Sequence, residues 1–207
     1  MKIALFHGWG FDRSIWDAVI PLLPGHDCEA DNRGYFGTPA TAGPADLAVT
    51  HSLGTLRALA APPAGCRALL ALNGFDRFAA GADFPAGVPL RVIDRMLARL
   101  DAAPAAVVGT FRETCGADAG PPIADPARLH ADLALLRDGD GRGCWAGPLV
   151  LLEGAEDPIV SAGHRAACFA DRPDARRHVL PGHGHLLPLT APEACARAIA
   201  ALAESLR

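Results

Sequence analysis

Three residue types that together perform acyl transfer stand just after strand-like runs of this sequence. Ser52 lies in Thr50-His51-Ser52-Leu53-Gly54, four of the five positions of the G-x-S-x-G turn in which a sharp strand-to-helix bend exposes a serine hydroxyl. A serine there would equally serve as a helix N-cap. Asp157 lies in Gly154-Ala155-Glu156-Asp157-Pro158-Ile159-Val160, where a turn beyond a strand directs a carboxylate inward. Glu153 and Glu156 compete for the acid role, and a plain Asp-Pro turn would also explain Asp157. His185 lies in Pro181-Gly182-His183-Gly184-His185, with the apolar Leu186-Leu187-Pro188 after it; this context fits a buried base at 185 and leaves His183 as its competitor. A serine hydroxyl is a weak nucleophile at neutral pH. It needs an imidazole to take its proton, and the imidazole needs a carboxylate to fix its tautomer. Oxyanion donors would be the N–H of Leu53, after the nucleophile, and that of Trp9, flanked by Gly8 and Gly10 after the first strand. The bland reading of Trp9 is a hydrophobic plug. His183 and His185 also have the look of a metal pair, but no third ligand of suitable spacing stands nearby, so neither metal nor cofactor is expected.

The elements that must carry these residues alternate. Strand-like runs at 2–6, 27–30, 47–50, 68–72, 149–152 and 177–180 are separated by helical periodicities, which implies a mainly parallel sheet with helices on both faces. Ser14 with Asp17 resembles a capping box for a helix running to Pro24. Segments 53–61, 161–170 and 192–206 read as further helices. Between about 73 and 147 the pattern changes to three helices (88–100, 105–115, and 126–137 capped by Asp125) with no strand, the signature of a helical insertion over one end of the sheet. In open parallel sheets, ligands sit outside the carboxyl ends of the strands, and Ser52, Asp157 and His185 all fall there.

A length of 207 residues with half of them hydrophobic suits one domain, residues 1–207, with the insertion inside it. A net charge of −4 gives no basic field for nucleic acid. No apolar run approaches the length of a membrane span. The six scattered cysteines form no CxxC pair and read as reduced thiols, so a cytoplasmic monomer is expected.

With these residues placed, the chain resembles the α/β-hydrolases over essentially its whole length, including the order Ser, Asp, His. Within them it is most similar to the pimeloyl-[acyl-carrier protein] methyl ester esterases of biotin synthesis. The similarity rests on Leu5-Phe6-His7-Gly8-Trp9-Gly10, on His51-Ser52-Leu53-Gly54, and on Phe84-Pro85-Ala86-Gly87-Val88, Phe111 and Leu133-Ala134-Leu135-Leu136-Arg137-Asp138 in the insertion. The resemblance implies a triad of Ser52, Asp157 and His185, oxyanion donors at Trp9 and Leu53, and an acyl-binding wall of Trp9 and Phe111, Arg112, Glu113, Thr114 and Cys115. It also implies a carboxylic ester substrate presented by acyl carrier protein, an acidic partner. Arg91, Arg95 and Arg99 recur at i, i+4, i+8 on one predicted helix, opposite Ile93, Met96, Leu97 and Leu100. With Arg112 on the next helix they make a cationic stripe suited to such a partner, although a charge run is usually a solvated face. Two departures stand out. Thr50 replaces the first glycine of the serine turn, and residues 31–45 are too short for a crossover helix, so the expected fold is short at its N-terminal side with one helix missing.

Overall fold

A computed structural model describes all 207 residues. Six strands form one sheet in the order β2-β1-β3-β4-β5-β6, every neighbouring pair parallel: β1 (Lys2–Phe6), β2 (Asp27–Ala30), β3 (Leu47–His51), β4 (Ala68–Leu72), β5 (Leu149–Gly154) and β6 (Arg176–Leu180). Helices α1 (Leu53–Ala60), α5 (Ala162–Ala167), α6 (Leu187–Thr190) and α7 (Pro192–Glu204) connect or follow the strands. Helices α2 (Leu90–Leu100), α3 (Pro104–Thr114) and α4 (Pro126–Asp138) fill the stretch between β4 and β5.

Strands β3, β4 and β5 are buried along their whole length, which is why they lack a polar alternation. Successive side chains still serve opposite faces. Ala48, Leu69, Ala71, Leu149 and Leu151 join the core beneath α1 and α4, while Leu47, Val49, Leu70, Val150 and Leu152 join the core beneath α7. Cores on both faces leave the carboxyl edge of the sheet as the place where loops converge. The chain leaves β1 toward β2 on one side and returns to β3 on the other, so the strand order reverses between β1 and β3. A crevice opens at such a point.

One expectation needs correction. The segment after β1 is not one α-helix capped by Ser14 but two 3-10 turns, Arg13–Trp16 and Ile20–Leu22. Asp12 is the cap, its carboxylate accepting from the Ser14 N–H at 2.8 Å, and Pro21 cannot extend a helix because it offers no N–H and crowds the preceding turn. The expected absence of a helix between β2 and β3 holds. That connection is an irregular loop with one bridge, Asn32 to Ala40. It is fixed from outside: Arg33 makes a bidentate pair with Asp132 of α4 at 2.6 and 2.8 Å, the Tyr35 hydroxyl donates to the same carboxylate, and Arg57 holds Asp31. No helix is long and apolar enough to cross a membrane.

Candidate active site

Ser52 sits between β3 and α1 with φ 53° and ψ −124°, a left-handed conformation that a non-glycine residue adopts only when its surroundings enforce it. The enforcement comes from close packing. A Cβ at Gly54 would lie 2.4 Å from the Phe6 carbonyl oxygen, so only glycine lets α1 start so near the end of β1. A Cβ at Gly8 would lie 3.0 Å from Ser52 Cβ, which puts the loop after β1 directly against the serine. Thr50 does not disturb the turn. Its hydroxyl is paired with that of Thr55 on α1 at 2.8 Å, and Gly74 provides the room, since a Cβ there would strike the Thr55 hydroxyl. The missing first glycine is thus replaced by a buried hydroxyl pair that ties β3 to α1.

Asp157 and His185 meet after β5 and β6. His185 Nδ1–H donates to Asp157 Oδ2 at 2.8 Å, and both side chains are closed to solvent. Asp157 Oδ1 accepts from the Ile159 and Val160 N–H groups at 2.7 and 2.9 Å. Burial opposes the carboxylate charge, but His185 and these two N–H groups outweigh it and hold the carboxyl below its ordinary range. The tautomer with hydrogen on Nδ1 leaves Nε2 as an acceptor, and this buried atom has no hydrogen-bond partner, the Ser52 hydroxyl included. Such contacts commonly tighten only when substrate is bound. Of the competitors, Glu153 is paired with Arg177, Glu156 gives only its N–H to the His183 carbonyl, and His183 is half-buried with its ring near Thr190. No group of three His, Cys, Asp or Glu side chains is placed to hold a metal ion.

The Trp9 side chain is buried, donating from Nε1 to the Leu129 carbonyl at 2.8 Å and meeting Phe111 edge-on at 5.0 Å. It is therefore a plug, and it lies off the cavity surface. Its main-chain N–H takes part in no hydrogen bond, and Leu53, as first residue of α1, offers one of the N–H groups that a helix start leaves unpaired. Ser52 opens into a cavity of about 400 Å³ beneath α2 and α3, walled by side chains such as Phe78, Val107, Phe111, Leu133 and Ile159. This is a volume suited to a small ligand. Of the predicted acyl wall, Phe111 and Thr114 line it. Arg112, Glu113 and Cys115 do not: Arg112 turns to the Gly10 and Asp118 carbonyls, Glu113 is exposed, and Cys115 packs in the core beneath α7. The cationic stripe is split likewise. Arg95 and Arg99 line the cavity beside Val92 and Met96, Arg91 points elsewhere, and Arg112 is half-buried. Neither Arg95 nor Arg99 has a carboxylate within 4 Å.

Sequence reasoning missed two residues. Asn73, directly after β4 with φ 45°, donates from Nδ2 to the Gly184 and His185 carbonyls at 2.9 and 2.7 Å and accepts from the Gly154 N–H at 2.7 Å. One side chain thus ties the end of β5, which leads to Asp157, to the loop that carries His185. His51 donates from Nε2 to the same His185 carbonyl at 2.9 Å, its ring tilted against that of His185. Burial, then the neighbouring His185, pushes the pKa of His51 down to about 3, and burial likewise lowers that of His7, which is hydrogen-bonded to Gly8, to about 4. The clue to Asn73 was its place: it follows β4 as Ser52 follows β3.

No protein-family model and no curated protein matches the sequence. Solved structures do match in shape. An esterase from Exiguobacterium antarcticum superposes with a TM-score of 0.80 at 12% identity, over 99% of this chain and 92% of that one. A bromoperoxidase from Bacillus anthracis gives 0.78 at 14% identity, over 98% and 91%. A thermophilic esterase from Thermogutta terrifontis gives 0.76 at 18% identity, over 99% and 90%. At such identities the likeness speaks for the fold, and with the parallel sheet, the serine turn at its reversal point and the helical segment between β4 and β5, it gives this chain the α/β-hydrolase fold.

Proposed function

We propose that this chain is a serine carboxylesterase, with Ser52 as nucleophile, His185 as base, Asp157 as its orienting carboxylate, and the Trp9 and Leu53 N–H groups as oxyanion donors. The observation that carries the reading is Ser52 held in a left-handed turn at the floor of an apolar cavity, with the buried His185–Asp157 pair on the adjoining loops. Ser52 Oγ attacks the ester carbonyl as its proton passes to His185 Nε2, the only ring atom left to receive one. The imidazolium is stabilised by Asp157, the carbonyl oxygen takes its charge beside the two N–H groups, and the alcohol leaves with the proton from His185. Water then repeats the sequence on the acyl-enzyme. Residues 73–147 act in this reading as the cover that selects the acyl group, within a single domain.

The finer reading is the methyl ester of pimeloyl-[acyl-carrier protein], hydrolysed in the cytoplasm by a monomer. An apolar cavity suits a medium-length acyl chain, and two guanidiniums with no carboxylate partner, Arg95 and Arg99, line it and would suit an acidic carrier. A fluorophosphonate should modify Ser52 in the wild type and nothing in Ser52→Ala. Absence of labelling together with absence of aryl ester hydrolysis would instead fit a non-catalytic ligand-binding protein. Arg95→Glu with Arg99→Glu should slow carrier-bound ester about tenfold and small esters much less, and equal losses on both would argue against the carrier; poor hydrolysis of the methyl pimeloyl carrier protein beside fast hydrolysis of small aryl esters would leave a general short-chain esterase or thioesterase.

A further inference from the structure

The carbonyl of Gly10 in the loop after β1 is reached by a side chain from α3. Arg112 Nη1 donates to it at 2.9 Å and Nε donates to the Asp118 carbonyl at 2.7 Å. The guanidinium lies 4.6 Å from the centre of the Phe11 ring and 5.9 Å from that of Phe36. The loop beyond α3 is shaped around it: Gly120, at φ +94°, stands so close that a Cβ would be 2.6 Å from Arg112 Nε, and the Ala117 N–H bonds the Arg112 carbonyl at 2.9 Å. Arg112 forms no ion pair within 4 Å, Asp12 and Asp118 acting on it only from farther off, and a half-buried cation held at close range by carbonyls and aromatic faces is an expensive way to fasten two loops. Its neighbours on the Gly10 side explain the expense.

Residues 8–11 carry the Trp9 N–H and touch Ser52, yet they belong to no strand or helix. Side chains from several elements hold them. His7 Nδ1 donates to the Gly8 carbonyl at 2.8 Å, Trp9 Nε1 bonds α4, Gly10 is bonded by Arg112, and Phe11 lies under the Arg112 guanidinium while presenting its edge to His51. Two of these contacts come from Arg112, while Phe111, its neighbour on α3, meets the Trp9 and Phe11 rings at 5.0 and 6.4 Å. Gly10 itself has φ +71°, and its Cβ position is closed by Phe111 at 3.3 Å, so α3 sets both the shape and the depth of this loop.

We propose that Arg112 is a positioning residue: by fixing the Gly10 carbonyl and the Phe11 ring it sets where the Trp9 N–H points, and so couples the seating of α3 to the oxyanion site. The inference rests on the esterase reading. A preorganised donor acts only if its distance from the developing oxyanion is kept, and small misplacements are costly because the stabilisation exists chiefly in the transition state. Loss of Arg112 should therefore lower kcat while leaving ground-state binding in the apolar cavity nearly untouched, since Arg112 does not line it.

The test uses the whole chain with p-nitrophenyl butyrate as substrate and butaneboronic acid as a probe that becomes a tetrahedral anion on Ser52. Arg112→Met keeps the stem and removes the donors and the charge. It should lower kcat about tenfold with KM within about twofold, and weaken the boronic acid by the same factor as kcat/KM, less than the roughly 10²–10³ of losing an oxyanion donor outright. Arg112→Lys, which keeps the charge but cannot bond two carbonyls in a fork, should fall between Arg112→Met and wild type; if the methionine variant does not fold, the lysine variant is judged by the same split. An unchanged kcat, a rise in KM alone, or a loss confined to carrier-bound substrate would overturn the proposal. Failure of the fluorophosphonate to label wild-type Ser52 would instead strike the esterase reading beneath it.

Discussion

Replacing Asn73 by glycine isolates what its side chain does, because glycine accepts the positive φ at that position without strain. The change removes three hydrogen bonds. The His185 carbonyl keeps the one from His51 Nε2, so its loss is partial. Gly154 is buried, and its N–H, bonded only to Asn73 Oδ1, becomes an unpaired donor at a cost of about 1–3 kcal/mol. Gly184 is half-buried, so its carbonyl can turn to water and costs about 0.5–1 kcal/mol. Relief of the positive φ at glycine offsets part of this, about 1 kcal/mol, so the expected destabilisation is about 1–3 kcal/mol, a sizeable share of the 5–15 kcal/mol typical of a folded domain. It should appear as a lower urea midpoint with an unchanged slope. Activity should report the same bracket: with its loop freed from β5, His185 would meet Ser52 less often in line, and kcat should fall about tenfold with KM conserved. A stability loss under about 1 kcal/mol together with kcat within twofold of wild type would refute the idea that Asn73 ties the end of β5 to the loop of His185.

Two further perturbations carry opposite signs or clear directions. Gly54→Ala places a methyl 2.4 Å from the Phe6 carbonyl oxygen, backbone that cannot move aside, and should cost about 3 kcal/mol or more or leave the protein insoluble, whereas Gly163→Ala, with nothing within 4 Å and a helical position in α5, should stabilise by about 0.5–1 kcal/mol; thermal melts of the pair check both. The pKa values of His7 and His51 lie near 4 and 3, well under their unfolded value near 6.5, so protons bind the unfolded chain first. Stability is then complete above about pH 6.5 and falls as pH drops toward 4, with a slope approaching about 2.7 kcal/mol per pH unit for the two together; a flat unfolding free energy between pH 7 and 5 would contradict their burial as neutral rings.

The strand boundaries and the serine turn were legible in the sequence because local rules fix them. Ala68–Leu72 is apolar throughout since both faces are covered, Asp125 and Pro126 announce α4, and the α4 cap is indeed an Asp125 carboxylate accepting from the Arg128 N–H at 3.0 Å. The helix expected after Ser14 failed for an equally local reason, Pro21, whose effect outweighed the cap pattern. What could not be read were partners supplied from far along the chain. Nothing near Arg112 in sequence points to Gly10, 102 residues away, and the i, i+4, i+8 spacing that joined Arg91, Arg95 and Arg99 drifts round a helix, so Arg91 leaves the face on which Arg95 and Arg99 meet the cavity. The turn beyond β5 favours Asp157 over Glu153 in the sequence, but their partners could not be read there: one lies beside His185 and the other beside Arg177.

Ser52 and Asn73 are two of only three non-glycine residues with positive φ, and they stand at the ends of adjacent parallel strands, β3 and β4. A strand that simply continued would alternate its side chains between the two cores, as the rest of each strand does. The left-handed turn breaks that alternation and sends both side chains to the sheet edge, Ser52 to the cavity and Asn73 to the loops of His185 and Gly154. Each such conformation costs on the order of 1–3 kcal/mol, so it must be held. For Asn73 the three side-chain hydrogen bonds do the holding, and for Ser52 it is the packing of Gly8 and Gly54 against their neighbours. The strain is thus concentrated where the chain departs from the sheet, and the residues it displays are those with the chemistry to use the position.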